Sequence, residues 1–186
     1  NTDGFFIAGR KADSSFTLQD LKGKRVIVDH GGQPLHMFNY ACHKAGLRLS
    51  DFDAIDAGSA DDMVAAFKGG EGDYVHLQGP APQQLEIEGG GVVVGRVGDW
   101  VGPCAFSSLA SRSDWLETDG AVAFVRAFRA ARQWVNQTPA LHVANSEISY
   151  FPGISVEALT EAIVAYQALG CWSGQVEIVP DEIAAS

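Results

Sequence analysis

Residues 25–34 read RVIVDHGGQP. Three apolar β-branched residues run straight into Asp29, His30, Gly31, Gly32 and Gln33. A carboxylate, an imidazole and an amide give and take hydrogen bonds, and glycines let a ligand come close to backbone N–H groups. The chemistry on offer is capture of a small polar molecule. The partial positive end of a helix opening at Pro34 would add attraction for an acid or oxyanion. Two glycines alone would equally make a tight strand-to-helix turn. His30 either donates to a ligand or caps the turn through its own backbone. Two further strand ends carry groups of the same kind, at 56–59 with Ser59 and at 78–80 with Gln78. His36 and His43, seven apart on one helix, are too distant to share a metal, and with Tyr40 they read as surface residues.

These groups act together only if the elements behind them bring them together. The pattern predicts strands at GFFIAGR (4–10) and RVIV, with a short helical turn at TLQDLKGK (17–24) between them. Leu35, Phe38, Cys42 and Ala45 recur at helical spacing from Pro34, and Gly46 suits the end of that helix. FDAIDAG (52–58) predicts a second short strand. Ser59 then suits an N-cap, Asp61 and Asp62 the first helical turn, and Met63, Val64 and Phe67 a buried stripe. GDYVHLQ (72–78) predicts a third strand, and Pro80 to the glycines at 89–91 another short helix. Strand, helix, strand, helix, strand with tight connections is a parallel βαβαβ unit. Ligands of such sheets sit beyond the carboxyl ends of the strands, so the loops 29–33, 56–59 and 78–80 are expected at one edge.

VVVGRV (92–97) predicts a further strand, and DWVGPCAF a loop entering yet another at 104–110. Two amphipathic helices follow. Ala121, Phe124, Val125, Phe128, Ala131 and Val135 share one face of the first, with Arg126, Arg129 and Arg132 set away from it as a solvated or interacting stripe. Val156, Leu159, Ile163 and Tyr166 mark the second, with Ser155 as its N-cap. QVEIVP (175–180) reads as a last strand or an extended strap. These later pieces have no evident sheet centre, and a stripe such as that of 119–135 needs something to pack on. The expectation is a partner segment outside this chain, in preference to a small α+β layer.

The 186 residues are 46% hydrophobic and 19% charged, which describes a folded chain able to bury a core. The net charge of −10 argues against nucleic acid, whose phosphates require clustered Lys and Arg. No apolar run approaches the length of a membrane span. Cys42, Cys104 and Cys171 are too few and scattered for a zinc pattern or a disulfide framework and read as small buried hydrophobes. The chain starts at Asn1 without a leader, so either processing removed one or the piece begins within a longer protein.

DLKGKRVIV, the helix ending in KAGL, AGSADDMVAAFKGGEGDYVHLQGP, the EGGG turn before VVV, and FVRAFRAARQWV occur in that order over nearly the whole chain. Together they resemble the type II periplasmic substrate-binding proteins, in the group serving sulfonate, nitrate, taurine and thiamine-pyrimidine-precursor ABC importers. The resemblance implies an α/β fold: a parallel βαβαβ lobe of that type plus an incomplete second α/β lobe. Residues 22–95 would form lobe two, and 1–21 with 96–186 the hinge strands and the C-terminal part of lobe one. The first half of lobe one would be absent. Asp29, His30, Gly31, Gly32, Gln33, Ser59 and Gln78 would line one face of the cleft. Trp100, beside Asp99 after the return crossing, would close over a planar ligand or seal the hinge. Gln78 stands where relatives commonly carry an acid before proline, and its uncharged amide suits a neutral or zwitterionic ligand. The implied partners are a small-molecule ligand and an ABC transporter permease, with a second copy as one source of the missing half lobe. No cofactor or metal is implied, and the implied location is periplasmic or otherwise extracytoplasmic.

Two other classes share the fold. An enzyme acting on a trapped molecule, with thiamine-pyrimidine or sulfinate chemistry, needs a nucleophile or acid–base pair in the cleft. His30 with Asp29 is the one such combination at that edge, Cys42 belongs to the core stripe, and no catalytic residue is assigned. An effector-binding module of a regulator would be preceded by a helix-turn-helix segment, and none is visible here.

Overall fold

The structure, a computed structural model, describes residues 2–104, 107–172 and 176. Five strands form one mixed sheet: β1 (Phe5–Gly9), β2 (Arg25–Val28), β3 (Asp53–Asp56), β4 (Tyr74–Gln78) and β5 (Val92–Arg96), in the order β3-β2-β4-β1-β5. β2 pairs in parallel with β3 and β4. Helices α1 (Gly32–Lys44), α2 (Ala60–Lys68) and α3 (Ala81–Ile87) follow β2, β3 and β4. This is the expected βαβαβ unit, and each crossover helix buries a stripe against the sheet.

Alternation along the strands fills both faces. Val26 and Val28 of β2 and Phe5 and Ile7 of β1 join Met37, Phe38, Ala41 and Cys42 of α1 on one side. Ile27, Ala8, Val75 and Leu77 meet Met63 and Phe67 of α2 and Leu85 of α3 on the other. His76 takes an inward position of β4 and is fully buried. Its ring lies 4.7 Å from both Phe5 and Phe38 in near-parallel stacks.

The structure departs from the sequence-based expectations at several points. β1 runs antiparallel between β4 and β5, pairing Phe5 with Gln78 and Phe6 with Arg96, so it shares one sheet with strands of the 22–95 unit. Val97–Val101 forms a short helix, α4, where a loop was expected. Arg96 Nε donates to Asp99 Oδ2 at 2.7 Å across its first turn, while Val97 and Val101 are buried. Among the described residues of 104–110 none is in a strand. A helix α7 (Ala140–Glu147) goes unforeseen between the two long ones, entered at Pro139 and burying Ala140, Val143 and Ala144.

The remaining helices are α5 (Ser113–Leu116), α6 (Asp119–Gln137) and α8 (Val156–Leu169). Ser155 caps α8, its hydroxyl accepting from the Ala158 N–H at 3.1 Å. α7 and α8 share a small core of their own with Val143, Ala144, Leu159 and Ile163. α6 has Ala121 as its one buried residue, although it is 19 residues long. Of the three arginines expected to lie away from its apolar stripe, Arg132 does not. It is half-buried, with its guanidinium 5.9 Å from the centre of the Phe128 ring. The stretch 175–180 lies outside the described residues, apart from Val176.

Candidate ligand-binding site

The parallel register Val26–Tyr74, Ile27–Val75 and Val28–Asp56 puts the ends of β2, β3 and β4 at one edge of the sheet. The turn after β2 meets the end of β3 directly. His30 Nδ1 donates to Asp56 Oδ2 at 2.7 Å, and Asp56 Oδ1 accepts from the Gly58 N–H at 3.0 Å. The His30 bond first, and the Gly58 amide second, hold the Asp56 carboxyl below its ordinary range. Both side chains are more than half exposed, which leaves His30 Nε2 and the pair's outer edge open to solvent.

Asp29 Oδ1 accepts a long 3.4 Å bond from the Gly31 N–H. α1 begins at Gly32, two residues before the expected start, with φ at +67°, a region that other residues rarely adopt. Pro34 falls in that first turn, where its missing N–H costs nothing. Gln33 lies in the same turn. Ser59 caps α2 as expected. Its hydroxyl donates to Asp62 Oδ2 at 2.6 Å and accepts from the Asp62 N–H at 3.3 Å, so the hydroxyl proton is already engaged. His36 Nδ1 donates to the Gly32 carbonyl at 2.5 Å, and His36 and His43 are exposed.

Gln78 ends β4, exposed and level with the turn at His30 when the β2–β4 register is continued. Behind it, the 78–80 loop forms one wall of a hollow of about 650 Å³ whose other wall is built by α6, α7 and α8. The loops at 29–33 and 56–59 do not border it. Tyr166 of α8 reaches across, its hydroxyl donating to the Gly79 carbonyl at 3.1 Å, and burial pushes that hydroxyl's pKa up. The sequence placed Tyr166 on a buried helix stripe and gave no sign of this tie.

Trp100 is not brought to the strand tips. Its ring lies on the backbone of β5, where a Cβ on Gly95 would come within 2.3 Å of it, and it meets Phe16 edge-on at 6.1 Å. Phe16 in turn contacts Tyr74, at the opposite end of β4 from Gln78. Asp99 is held by Arg96. The sequence placed the loop at 56–59 on this edge but singled out Ser59 there, and Asp56 is the residue of that loop that meets His30. The signal was there in part, since a parallel neighbour of RVIV had to end in it.

Cys42 and Cys104 are buried, and burial alone pushes the Cys42 thiol up to about 12, far from a reactive thiolate. Among the described residues no group of three or more His, Cys, Asp or Glu could hold a metal ion. No described helix is long and apolar enough to cross a membrane.

A mixed sheet flanked by helices, with polar strand tips gathered at one edge, is the α/β architecture of periplasmic binding proteins. Comparison with known structures bears this out. The alkanesulfonate-binding protein SsuA of Xanthomonas axonopodis pv. citri, bound to MOPS, superposes with a TM-score of 0.63 at 18% identity, over 88% of this chain and 55% of its own. The periplasmic aliphatic sulphonate binding protein SsuA of Escherichia coli gives 0.57 at 21% identity, over 90% and 55%. The NMT1/THI5-like family model matches residues 5–141, and the chain belongs to that family. YtlA of Bacillus subtilis (strain 168), a candidate binding protein, is 27% identical over 170 residues, which is 89% of this chain and 51% of YtlA. The chain thus spans about half the length of that curated relative.

Proposed function

We propose that this chain carries one ligand-holding face of a solute-binding protein of the ABC importer type, working outside the cytoplasm with a membrane permease. The observation that carries the reading is the edge at which β2, β3 and β4 end together, with the His30–Asp56 pair joined across it. The ligand is a small polar organic molecule, neutral or zwitterionic. His30 Nε2, the Gln78 amide and the backbone of the α1 entry turn supply its hydrogen bonds, and the acids at 29 and 56 disfavour a bare anion. In this reading the sheet unit forms one lobe, and α5–α8 belong to the other. Family membership supports the binding role, and burial pushes the Cys42 thiol up to about 12, which removes that one residue as a nucleophile for the enzyme reading.

The test is a thermal-shift and calorimetric screen with taurine, an aliphatic alkanesulfonate, nitrate and an aminopyrimidine. A zwitterion or neutral heterocycle should raise Tm, corresponding to about 2.7 kcal/mol at a hundredfold excess over Kd. His30→Ala and Gln78→Ala should each weaken that probe about tenfold or more, and the probe should be recovered unaltered. Preferential binding of nitrate, or consumption of a probe, would reject the reading.

A further inference from the structure

The bond between His30 and Asp56 decides where the imidazole carries its proton. Asp56 accepts twice, from His30 Nδ1 at 2.7 Å and from the Gly58 N–H at 3.0 Å. The His30 bond first, and the Gly58 amide second, hold its carboxyl below the ordinary range, and an ionised carboxylate can only accept. The proton between the two side chains therefore belongs to Nδ1. A neutral imidazole has one N–H, so Nε2 keeps its lone pair and faces away from Asp56. The open atom of the pair is an acceptor.

The surrounding charges act in the same direction. The loops 29–33, 56–59 and 78–80 bring Asp29 and Asp56 and contain no Lys or Arg. Arg10 and Lys11 follow Gly9, which pairs with Tyr74, and Lys22, Lys24 and Arg25 lead into β2, all at the end of the sheet away from the strand tips. Arg96, level with Phe6 on the outer strand β5, is paired with Asp99. An oxyanion brought to Nε2 would meet a lone pair and two carboxylates. A positively charged N–H group would meet a formed acceptor in an attractive field.

We infer that the ligand presents a protonated amine, which donates to His30 Nε2, and that Asp56 is the positioning residue that selects it by holding the imidazole in the Nδ1–H form. This rests on the reading that the joined strand ends hold the ligand, and it narrows that reading. Neutral molecules without an N–H donor and quaternary ammonium ions, which carry the charge but no hydrogen on nitrogen, are excluded. The recognition is by hydrogen bond as well as by charge, so the two contributions separate experimentally.

Imidazole nitrogen NMR tests it, with pH raised from 7 until each ring carries a single proton. The His30 proton should be found on Nδ1. Methylammonium, tetramethylammonium and acetate are then titrated as probes. Methylammonium should shift the Nε2 resonance and saturate at a concentration about fivefold or more below the other two, which offer no N–H. In Asp56→Asn the amide NH2 can face Nδ1, so the proton should move to Nε2 and methylammonium should lose its lead over acetate, while the amide spectrum of β1–β5 is kept. Asp56→Glu should recover both properties. The parent measurements decide the matter even if a variant fails to fold. An Nε2–H tautomer in the parent overturns the inference, as does binding of tetramethylammonium or acetate at or below the concentration that methylammonium needs. If a molecule from the thermal-shift screen still shifts Gly31 and Gly58 in that case, the binding reading stands without this inference. If no probe or screen molecule shifts that edge, both fall.

Discussion

His76 provides the sharpest test of the packing. It is fully buried between two phenylalanine rings, and neither ring nitrogen has a hydrogen-bond partner. Burial lowers its pKa from 6.5 to about 3. A lowered pKa means that the unfolded chain binds the proton first. Above 6.5 its protonation leaves stability untouched, and as pH falls toward 3 proton uptake by the unfolded chain drains stability away. Between pH 7 and 5 the loss is about 2 kcal/mol, and it barely changes for any folded pKa below 4. Asp3 works in the opposite direction. It is fully buried, its Oδ1 accepts from the Phe5 N–H at 2.7 Å, and its Oδ2 has no partner. Burial raises its pKa from 3.8 to about 6, so here the folded state binds the proton first, and stability is gained as pH falls through 6. That gain is about 1 kcal/mol over the same interval. In the unaltered protein these two effects therefore oppose each other and largely offset. Urea unfolding at pH 7 and 5 separates them. Relative to the parent, His76→Phe should become about 2 kcal/mol more favourable on acidification, and Asp3→Asn about 1 kcal/mol less. At pH 7, His76→Phe should also be at least about 1 kcal/mol more stable, because an unpaired buried polar group is costly. If His76→Phe keeps the parent's pH dependence, the imidazole is not where the structure puts it.

Other substitutions probe single contacts. Ser59→Ala removes the cap of α2 and should cost about 1 kcal/mol in urea unfolding, with Ser59→Gly costing a few tenths. Gly95→Ala drives a methyl into Trp100 and should cost about 1–3 kcal/mol, most of it recovered in the Gly95→Ala/Trp100→Leu double variant. Tyr166→Phe should lose about 1 kcal/mol and raise amide exchange at the 78–80 loop, leaving exchange in α1 unchanged.

The sequence was most informative where one element carries its own signal. RVIV, the helix after Gly32, Ser59 with Asp62, and YVHLQ are local patterns, and their order sufficed for the parallel unit. FFIAG carries no such direction. All five of its residues are buried, so nothing in its alternation says which neighbours it joins or that it runs antiparallel to both. α4 is five residues long, too short for periodicity to distinguish from a loop. The His30–Asp56 bond joins residues 26 apart through the β2–β3 register, and Trp100 settles where Gly95 leaves room. Both are outcomes of tertiary placement, and residue type alone could not rank Asp56 above Trp100. The apolar stripe of α6 was legible from spacing alone, and Phe124 and Val125 on it are 45% and 41% exposed.

The central claim is that a small molecule sits against the joined ends of β2, β3 and β4. Amide NMR mapping during titration with the best-responding probe of the screen measures this directly. The account predicts shifts concentrated at Gly31, Gly32, Gly58 and Gly79 and abolished by His30→Ala. Shifts centred on Tyr74 and Trp100, at the far end of β4, or unaffected by loss of the imidazole, would contradict it.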